Sequence, residues 1–266
     1  RAVRTVRLSG PTRPVQRAAG GQVQYANLVD GGESWTPAEY DVGLMIDRQT
    51  IINDDMSAFG AMPMSLIEAA MLNRDYLALA IFVTNGNLAA TADGTFTLFD
   101  STRTIGGTAR ANEIAVGSGG AVSTAQLTAM RQLSARFADD NGELRPVRMD
   151  RILVPDALAD GAEQAIRPRT IAPTSYTVEP TTWARDLAIY SSPVLDELQA
   201  GAGTTRWWAL GNPSMRPAVE FGSLNGAGPT IEQTTDFDFN ALKIKVTDDV
   251  GAGPVDWRGG VENHGS

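Results

Sequence analysis

The longest predicted element is an apolar helix in the first third of the chain. The run MSLIEAAMLNRDYLALAIFVT follows Pro63 and contains no helix-breaking residue before Asn85-Gly86. Proline is favoured in the first turn of a helix, and Asn-Gly is a common helix end. The pattern therefore predicts a helix over residues 63–84. Because this helix carries few charges, we expect most of its circumference to be covered.

Alternating apolar and polar residues predict strands in the second half of the chain. In LKIKVTDD, Leu242, Ile244 and Val246 fall on one face, opposite two lysines. RILVP is predicted as a short buried strand, and the short helix DALADGAEQAI follows it. LAIYSSPVL and WWALGNP are predicted as strands or strand edges.

A second helix is predicted to start at a capping box, the pattern Ser123-x-x-Gln126. Apolar residues then recur at helical spacing, at Leu127, Met130, Leu133 and Phe137. We expect this helix to end at Asn141-Gly142, for the same reason as the first helix.

The first 46 residues are predicted to lie outside a compact core. Prolines and glycines in residues 1–21 oppose a helix, so we expect an extended arm. Residues 22–46 are predicted as a long hairpin whose turn is Asp30-Gly31-Gly32. Because apolar alternation is poor on both sides of that turn, the hairpin should rest on something outside its own domain. We therefore expect both segments to make mostly intersubunit contacts.

Charge separates the arm from the rest of the chain. The net charge is −9, yet residues 1–29 contain five arginines and no acid. A basic arm on an acidic body favours docking of the arm on an acidic surface, for example that of a neighbouring subunit. Nucleic acid and a solvated, disordered tail are the alternatives for the arm. The acidic body itself should repel DNA.

Composition narrows the function classes. At 266 residues, 42% hydrophobic and 20% charged, the chain can form one large domain or two small ones. It has no cysteine, which excludes disulfides, thiolate metal ligands and cysteine nucleophiles. No apolar run reaches the roughly 18 residues of a membrane span, so no membrane partner is expected.

The cluster Asn53-Asp54-Asp55 admits three interpretations. Short polar side chains of this kind cap helix N-termini, and the cap is the favoured interpretation. An intersubunit contact is the second, and a metal or catalytic site the third. We expect no metal here.

The sequence gives little support for a catalytic function. The single histidine, His264, lies two residues from the end, and no nucleotide-binding or nucleophile motif is present. Three acid pairs remain, at Asp54-Asp55, Asp139-Asp140 and Asp248-Asp249. Acids adjacent in sequence do not face each other on a strand or a helix. We therefore expect no catalytic residues and no cofactor.

Four motifs, in order from residue 46 to residue 260, resemble those of Mu-like phage major head proteins and fused prohead protease–major capsid proteins. The first is IDRQTIINDDMSAFGAMPMSLIEAAMLNRDYLALAI, and the second is RILVPDAL. The third is RWWALGNPSMRPAVEFGSLNGAGPTIE, and the last is DDVGAGPVDWRG. The protease portion of the fused proteins is absent.

This resemblance implies an α+β, Hong Kong 97-like capsid fold. It places an N-terminal arm at 1–21, an extended loop at 22–46 and a peripheral domain with a long spine helix at 47–119. An axial domain would occupy 120–200, and residues 201–266 would return to both domains.

The resemblance further implies a function. It is that of a major capsid protein of a tailed bacteriophage, which self-assembles into an icosahedral shell around double-stranded DNA. The partners would be copies of the chain in hexamers and pentamers, a portal and decoration proteins. The DNA would be packaged without sequence-specific binding, and the shell would be assembled in the bacterial cytoplasm. The alternatives are a cellular nanocompartment shell of the same fold and, third, a carboxylate-dependent hydrolase.

The candidate intersubunit contacts are side chains of the arm, the loop and the quoted motifs. They are Arg1, Arg4, Arg7, Arg13, Arg17, Tyr25, Trp35, Arg48, Asp54, Asp55, Asp256, Trp257 and Arg258.

Overall fold

A computed structural model describes most of the chain. The described residues are 2–10, 14, 16–17, 25, 30–53, 62–89, 94–115, 119–167, 183–200, 205–226, 228–236 and 238–265. They form two compact units. The first comprises residues 1–3, 35–79 and 220–253, and the second residues 4–34, 80–219 and 254–266.

The described elements are thirteen strands and five α-helices. In chain order they are β1 (Val3–Leu8), β2 (Asp30–Trp35), β3 (Ala38–Asp47), α1 (Arg48–Ile52), α2 (Met62–Thr84), β4 (Thr104–Ile105), β5 (Thr108–Ala109), β6 (Glu113–Ile114), α3 (Thr124–Ser134), β7 (Met149–Pro155), α4 (Ala159–Ile166), β8 (Ala188–Ser192), α5 (Pro193–Leu198), β9 (Trp207–Gly211), β10 (Val219–Ser223), β11 (Thr230–Asp236), β12 (Ala241–Pro254) and β13 (Gly260–Asn263).

The predicted turn at Asp30-Gly31-Gly32 is wrong, because these residues lie inside β2. β2 pairs with β1 in a two-stranded sheet. A side chain at Gly32 would meet the carbonyl oxygen of Thr5 at 2.9 Å. The glycine therefore permits a close approach of two backbones rather than a reversal of the chain.

In the first unit, the centre of the sheet is the long strand β12. Antiparallel to it, β3 pairs from Asp47↔Ala241 to Ala38↔Val250, and β11 pairs with Ala241–Thr247. β10 pairs with β12 as well. The first strand of the predicted hairpin, residues 22–29, lies outside the described residues except for Tyr25, so its pairing with residues 38–46 stays a prediction. Among the described strands, β3 pairs with a strand about 200 positions away and not with β2.

The predicted alternation of β12 is confirmed. Ile244, Val246 and Val250 are buried, while Lys243 and Lys245 are only partly covered. The buried face continues through Asp248, a carboxylate that the sequence pattern did not assign to the core.

A five-stranded mixed sheet forms the core of the second unit, in the order β6-β13-β9-β7-β8. β7 and β8 run parallel, β9 is antiparallel to both β7 and β13, and β6 is parallel to β13. Trp208 on β9 packs edge-on to Phe82, and Phe82 stacks with Phe99. The buried aromatic rings anchor this sheet to the last turn of α2.

The predicted boundaries of α2 are confirmed within one residue. Asn85 ends the helix with a left-handed backbone, φ 51°. Its side-chain oxygen accepts from the N–H of Phe99 at 2.7 Å, and its Nδ2 donates to the carbonyl of Phe99 at 2.8 Å. No helix among the described residues combines the length and apolar content needed to cross a membrane.

The start of α3 is confirmed and its end is corrected. The Ser123 side chain accepts from the N–H of Gln126 at 3.3 Å, but the helix stops at Ser134. Phe137 is buried as predicted, but beyond the helix. Asn141-Gly142 instead lies in a reversal closed by an Arg145 N–H to Phe137 carbonyl bond of 2.7 Å. The chain leaves the helix at Ser134, whose carbonyl accepts from the N–H of Val147 at 3.2 Å.

The N-terminal cap predicted at Asn53 is corrected. Asn53 ends the short helix α1, and its N–H donates to the Gln49 carbonyl. Asp47 caps the start of α1 by accepting from the Gln49 N–H at 3.3 Å. Asp54 and Asp55 lie outside the described residues.

Candidate functional site

The first unit exposes most of the large apolar side chains found at the surface of the described chain. Eleven of sixteen such side chains belong to it. They are Tyr40, Met45, Ile51, Ile52, Met64, Met71, Leu72, Phe221, Leu224, Ile231 and Phe239. We call this set the apolar surface. The concentration of these side chains in one unit makes that unit the candidate for burial against other molecules.

Helix α2 contributes a continuous stripe to the apolar surface. Met64, Met71 and Leu72 are exposed and fall on one side of the helix. Glu68 and Asp75 are exposed on the same side. The stripe is thus apolar with two carboxylates, and only Ala70 and Phe82 of the whole helix are fully buried. Among the described residues, the expected covering of α2 is incomplete.

A buried ion pair ties α2 to β12 inside the first unit. The Nε and Nη2 atoms of Arg74 donate to the two carboxylate oxygens of Asp248, each at 2.7 Å. Asp248 is 2% exposed. A fork of this kind fixes orientation as well as distance, so it fixes which side of α2 faces away from the sheet.

A ladder of charges lines the opposite face of β12. The Lys245 Nζ lies 3.7 Å from a carboxylate oxygen of Glu232 on β11. Lys243 pairs with Asp236, and this hydrogen bond lowers the pKa of Asp236. Both lysines therefore point to one face of one strand, and both already have an acidic partner.

The second unit buries a group of like charges. Glu262 on β13 lies directly opposite Glu113 on β6, and Nη1 of Arg206 is 3.5 Å from Glu262. Burial raises the pKa of Glu262 to about 8, Arg206 opposes the rise, and Glu113 adds to it. Burial also raises the pKa of Glu113.

Asp139 and the main chain of His264 have structural partners, while Asp54 and Asp55 lie outside the described residues. Asp139 accepts from the N–H groups of Asn141 and Glu143 and pairs with Arg145 at 3.2 Å. The main-chain N–H of His264 donates to the Ile114 carbonyl at 3.2 Å, and burial lowers the pKa of its imidazole. Within the described ranges, no group of three metal-ligating side chains is gathered.

Residues 32–263 match a protein family described as phage capsid protein. The chain belongs to this family. The fold and the family together identify a phage capsid protein. No curated protein matches the sequence.

Solved capsid structures share the fold of this capsid protein along nearly its whole length. "Capsid structure of the Cyanophage P-SCSP1u" has 12% identity and a TM-score of 0.61, and the match covers 100% of this chain and 83% of that one. "Cyanophage Pam1 capsid asymmetric unit" has 12% identity and a TM-score of 0.57, with 98% and 83% covered. "Mycobacterium phage Che8" has 16% identity and a TM-score of 0.55, with 100% and 85% covered. The predicted α+β capsid fold is confirmed.

Some predicted contact residues of the capsid protein are at the surface. Arg4, Arg17 and Arg48 are exposed, and Tyr25 is 91% exposed. The side chain of Arg7 and the whole of Arg1, Arg13, Asp54 and Asp55 lie outside the described part.

Four other predicted contact residues are buried in the capsid protein itself, and this corrects their assignment. Trp35 lies against Gly222, Gly251 and Gly253. Asp256, Trp257 and Arg258 are also almost fully covered. Side chains enclosed in this way are not available to a second copy.

The motif Asp256-Trp257-Arg258 lies in the core of the second unit, where Asp256 and Arg258 form an ion pair. The Asp256 carboxylate accepts from the Arg258 main chain at 3.0 Å and from its guanidinium at 2.8 Å. The guanidinium of Arg103 lies 4.7 Å from the Trp257 ring, and Phe137 packs edge-on to that ring. The short distance between the two charged residues in sequence is the signal that could have indicated a local ion pair.

The features that sequence reasoning missed are the ones that join distant segments. The Arg74–Asp248 pair and the Glu113–Glu262 pair each join residues more than a hundred positions apart. β11 was missed because its TIEQTTD sequence has no apolar face.

Proposed function

We propose that this capsid protein self-assembles into the icosahedral shell of a tailed bacteriophage and that the shell encloses double-stranded DNA. The apolar surface of the first unit is the observation that supports this most directly. Water contact with such a surface is unfavourable, and repeated contacts that close under symmetry remove it from water. The hexamers and pentamers of such a shell would supply those contacts.

We also infer a more specific place within the family. The four motifs quoted above favour the Mu-like head proteins and the fused protease–capsid proteins. In that scheme, residues 1–21 form an arm, 22–46 an extended loop, and α2 the spine helix of a peripheral domain. The axial domain takes residues 120–200.

The role we propose is structural and not enzymatic. Asp139 and Asp248, from two of the acid pairs, are held in ion pairs with arginines. Such pairing gives both carboxylates a role in holding elements of the chain together. The further partners we propose are a portal, decoration proteins and packaged DNA, with assembly in the host cytoplasm.

Exposed arm and loop residues are the intersubunit contacts that we retain. Arg4, Arg17, Tyr25 and Arg48 extend into solvent in the single chain. Their cationic and aromatic side chains are the types enriched at protein interfaces. Acidic surfaces such as the stripe on α2 would complement the arginines.

A matched pair of substitutions tests the proposal. Met71 on the α2 stripe and Met215 in the second unit are both exposed, at 48% and 81%. Met71→Glu puts a third carboxylate into a surface that the shell should bury, whereas Met215→Glu makes the same chemical change outside it. We expect Met71→Glu to abolish megadalton particles in size-exclusion chromatography with light scattering, and Met215→Glu to leave them intact. Circular dichroism confirms that both variants fold. Normal particles from Met71→Glu would contradict the proposal.

A further inference from the structure

Strand β11 forms an edge of the sheet in the first unit without the usual protection of an edge strand. Its one partner among the described strands is β12. The register runs without interruption from Thr230↔Thr247 to Asp236↔Ala241. The sequence TIEQTTD contains neither proline nor lysine. Native proteins commonly block edges with those residues or with a bulge, because an open edge is a template for another strand.

The charges of β11 are already compensated inside the chain. Glu232 faces Lys245 at 3.7 Å, and Asp236 pairs with Lys243. The other five residues are threonine, isoleucine and glutamine, and residues 230–235 are all exposed. Threonine and isoleucine favour strands. The edge therefore offers unpaired backbone groups with little net charge to oppose a second strand.

We propose that β11 pairs antiparallel with β11 of a second copy, about a two-fold axis at Gln233, so that two sheets become one. The proposal rests on the shell proposed above, because a seven-residue edge is too small to hold two copies together alone. In an isologous contact of this kind, both copies contribute the same strand, and each strand both donates and accepts main-chain hydrogen bonds. In the shell, the pairing would link neighbouring subunits.

Charge selects the register of this pairing. An axis at Gln233 pairs all seven residues and sets each Glu232 opposite Thr234 of the second copy. If the axis lay at Glu232, this residue would face Glu232 of the second copy. If the axis lay at Thr234, Glu232 would face Asp236 of the second copy. Like charges directly opposite each other destabilise a strand pair. The register with its axis at Gln233 avoids both conflicts.

A single cysteine tests the axis, because the chain has no cysteine of its own. In assembled particles, Gln233→Cys brings two thiols onto residues about 4.5–5.5 Å apart between Cα atoms, within disulfide range. Mild oxidation should give a dimer on a non-reducing gel. Ile231→Cys is the matched control: its own copy lies four residues along the pair, about 13 Å away, so no dimer should form. Particles of Gln233→Cys that stay monomeric on the gel would overturn the pairing.

Two substitutions of Thr234 separate the interface from the stability of the subunit. Thr234 faces Lys243 within its own chain and would face Glu232 of the second copy. Thr234→Glu should therefore stabilise the subunit, because it faces Lys243, and should lower the assembly yield about fivefold, because it would face Glu232 of the second copy. Thr234→Lys should destabilise the subunit and preserve assembly. Equal yields from the two variants would contradict the pairing.

The outcomes distinguish this inference from the proposed function. If the unmodified protein forms no shells, the proposed function fails and the pairing fails with it. If shells form but Gln233→Cys gives no dimer, only the pairing fails. A dimer that forms with Gln233→Cys and not with Ile231→Cys supports both.

Discussion

At the scale of single residues, a few buried charges set how the capsid protein responds to mutation and pH. Two buried ion pairs differ in how closely their charges are bonded: Arg74 with Asp248, and Arg206 with Glu262. The first pair has two hydrogen bonds of 2.7 Å, while the closest approach of Arg206 to the buried Glu262 carboxylate is 3.5 Å. A paired buried charge is costly to break, and a poorly paired one is costly to keep.

Asp248→Ala should strongly destabilise the first unit. The substitution leaves the Arg74 cation without its bidentate partner, and removing one member of a buried pair costs about 3–5 kcal/mol. The control is Lys245→Ala, which breaks the exposed pair with Glu232 and should cost about 0–1 kcal/mol. Urea denaturation of unassembled subunits measures both. Equal losses in the two variants would contradict the role given to Asp248.

Glu262 should make the capsid protein less stable as pH rises. Its pKa is about 8 in the folded chain and 4.5 ordinarily, so the folded state holds the extra proton between these values. Stability from this group is complete below pH 4.5 and is lost progressively up to pH 8. The loss between pH 5 and pH 9 is on the order of 4 kcal/mol.

Glu262→Gln should remove this dependence, because the amide resembles the protonated acid in shape and cannot ionise. The variant should match the native chain near pH 5 and exceed its stability at pH 9. Glu163→Gln, at an exposed glutamate on α4, is the control and should leave the pH profile unchanged. A Glu262→Gln variant that is no more stable than the native chain at pH 9 would refute the assignment.

At the scale of elements, the ends of helices could be predicted from the sequence better than the pairing partners of strands. The ends of α2 and the start of α3 follow from proline, Asn-Gly and a capping box, which act within a few residues. The partner of β3 could not be predicted, because β12 lies about 200 residues away and any alternating strand could have taken its place. β11 could not be predicted for a different reason, because its sequence TIEQTTD has no apolar face. The predicted end of α3 failed because the carbonyls of Ser134 and Phe137 accept from Val147 and Arg145, beyond a reversal of the chain, and such bonds to later residues leave no local signal.

The glycines beneath Trp35 show how one element depends on another. A Cβ atom at Gly253 would lie 2.5 Å from atoms of Trp35, whereas nothing lies within 4 Å of one at Gly228. Gly253→Ala should therefore displace the tryptophan and cost about 1–3 kcal/mol. Gly228→Ala should leave stability unchanged or slightly raised. Thermal unfolding followed by tryptophan fluorescence reports both the stability and the position of the ring, and no change for Gly253→Ala would disprove the packing.

The two lysines of β12 should not form covalent links between subunits. An isopeptide bond needs a lysine amine at a boundary, and arginine cannot take its place because it keeps its proton. Lys243 and Lys245 share one face of one strand and are held by acids of β11. A boiled denaturing gel of mature particles should show a monomer band. A ladder that disappears in the Lys243→Arg, Lys245→Arg double variant would contradict this expectation.

At the scale of the whole molecule, the two units of the capsid protein differ in which side chains they bury and which they expose. The second buries several aromatic rings and a few charged side chains around a five-stranded sheet. The first carries most of the exposed apolar side chains and an open sheet edge. With no cysteine to form disulfides, a shell of this protein must be held by contact area repeated under symmetry.

Electron cryo-microscopy of the purified protein tests self-assembly most directly. We expect closed icosahedral particles built from this chain alone or with its phage partners, in which neighbouring subunits cover the α2 stripe and the β11 edge. A protein that remains a monomer or small oligomer at high concentration, or a shell that leaves the apolar surface open to solvent, would contradict it.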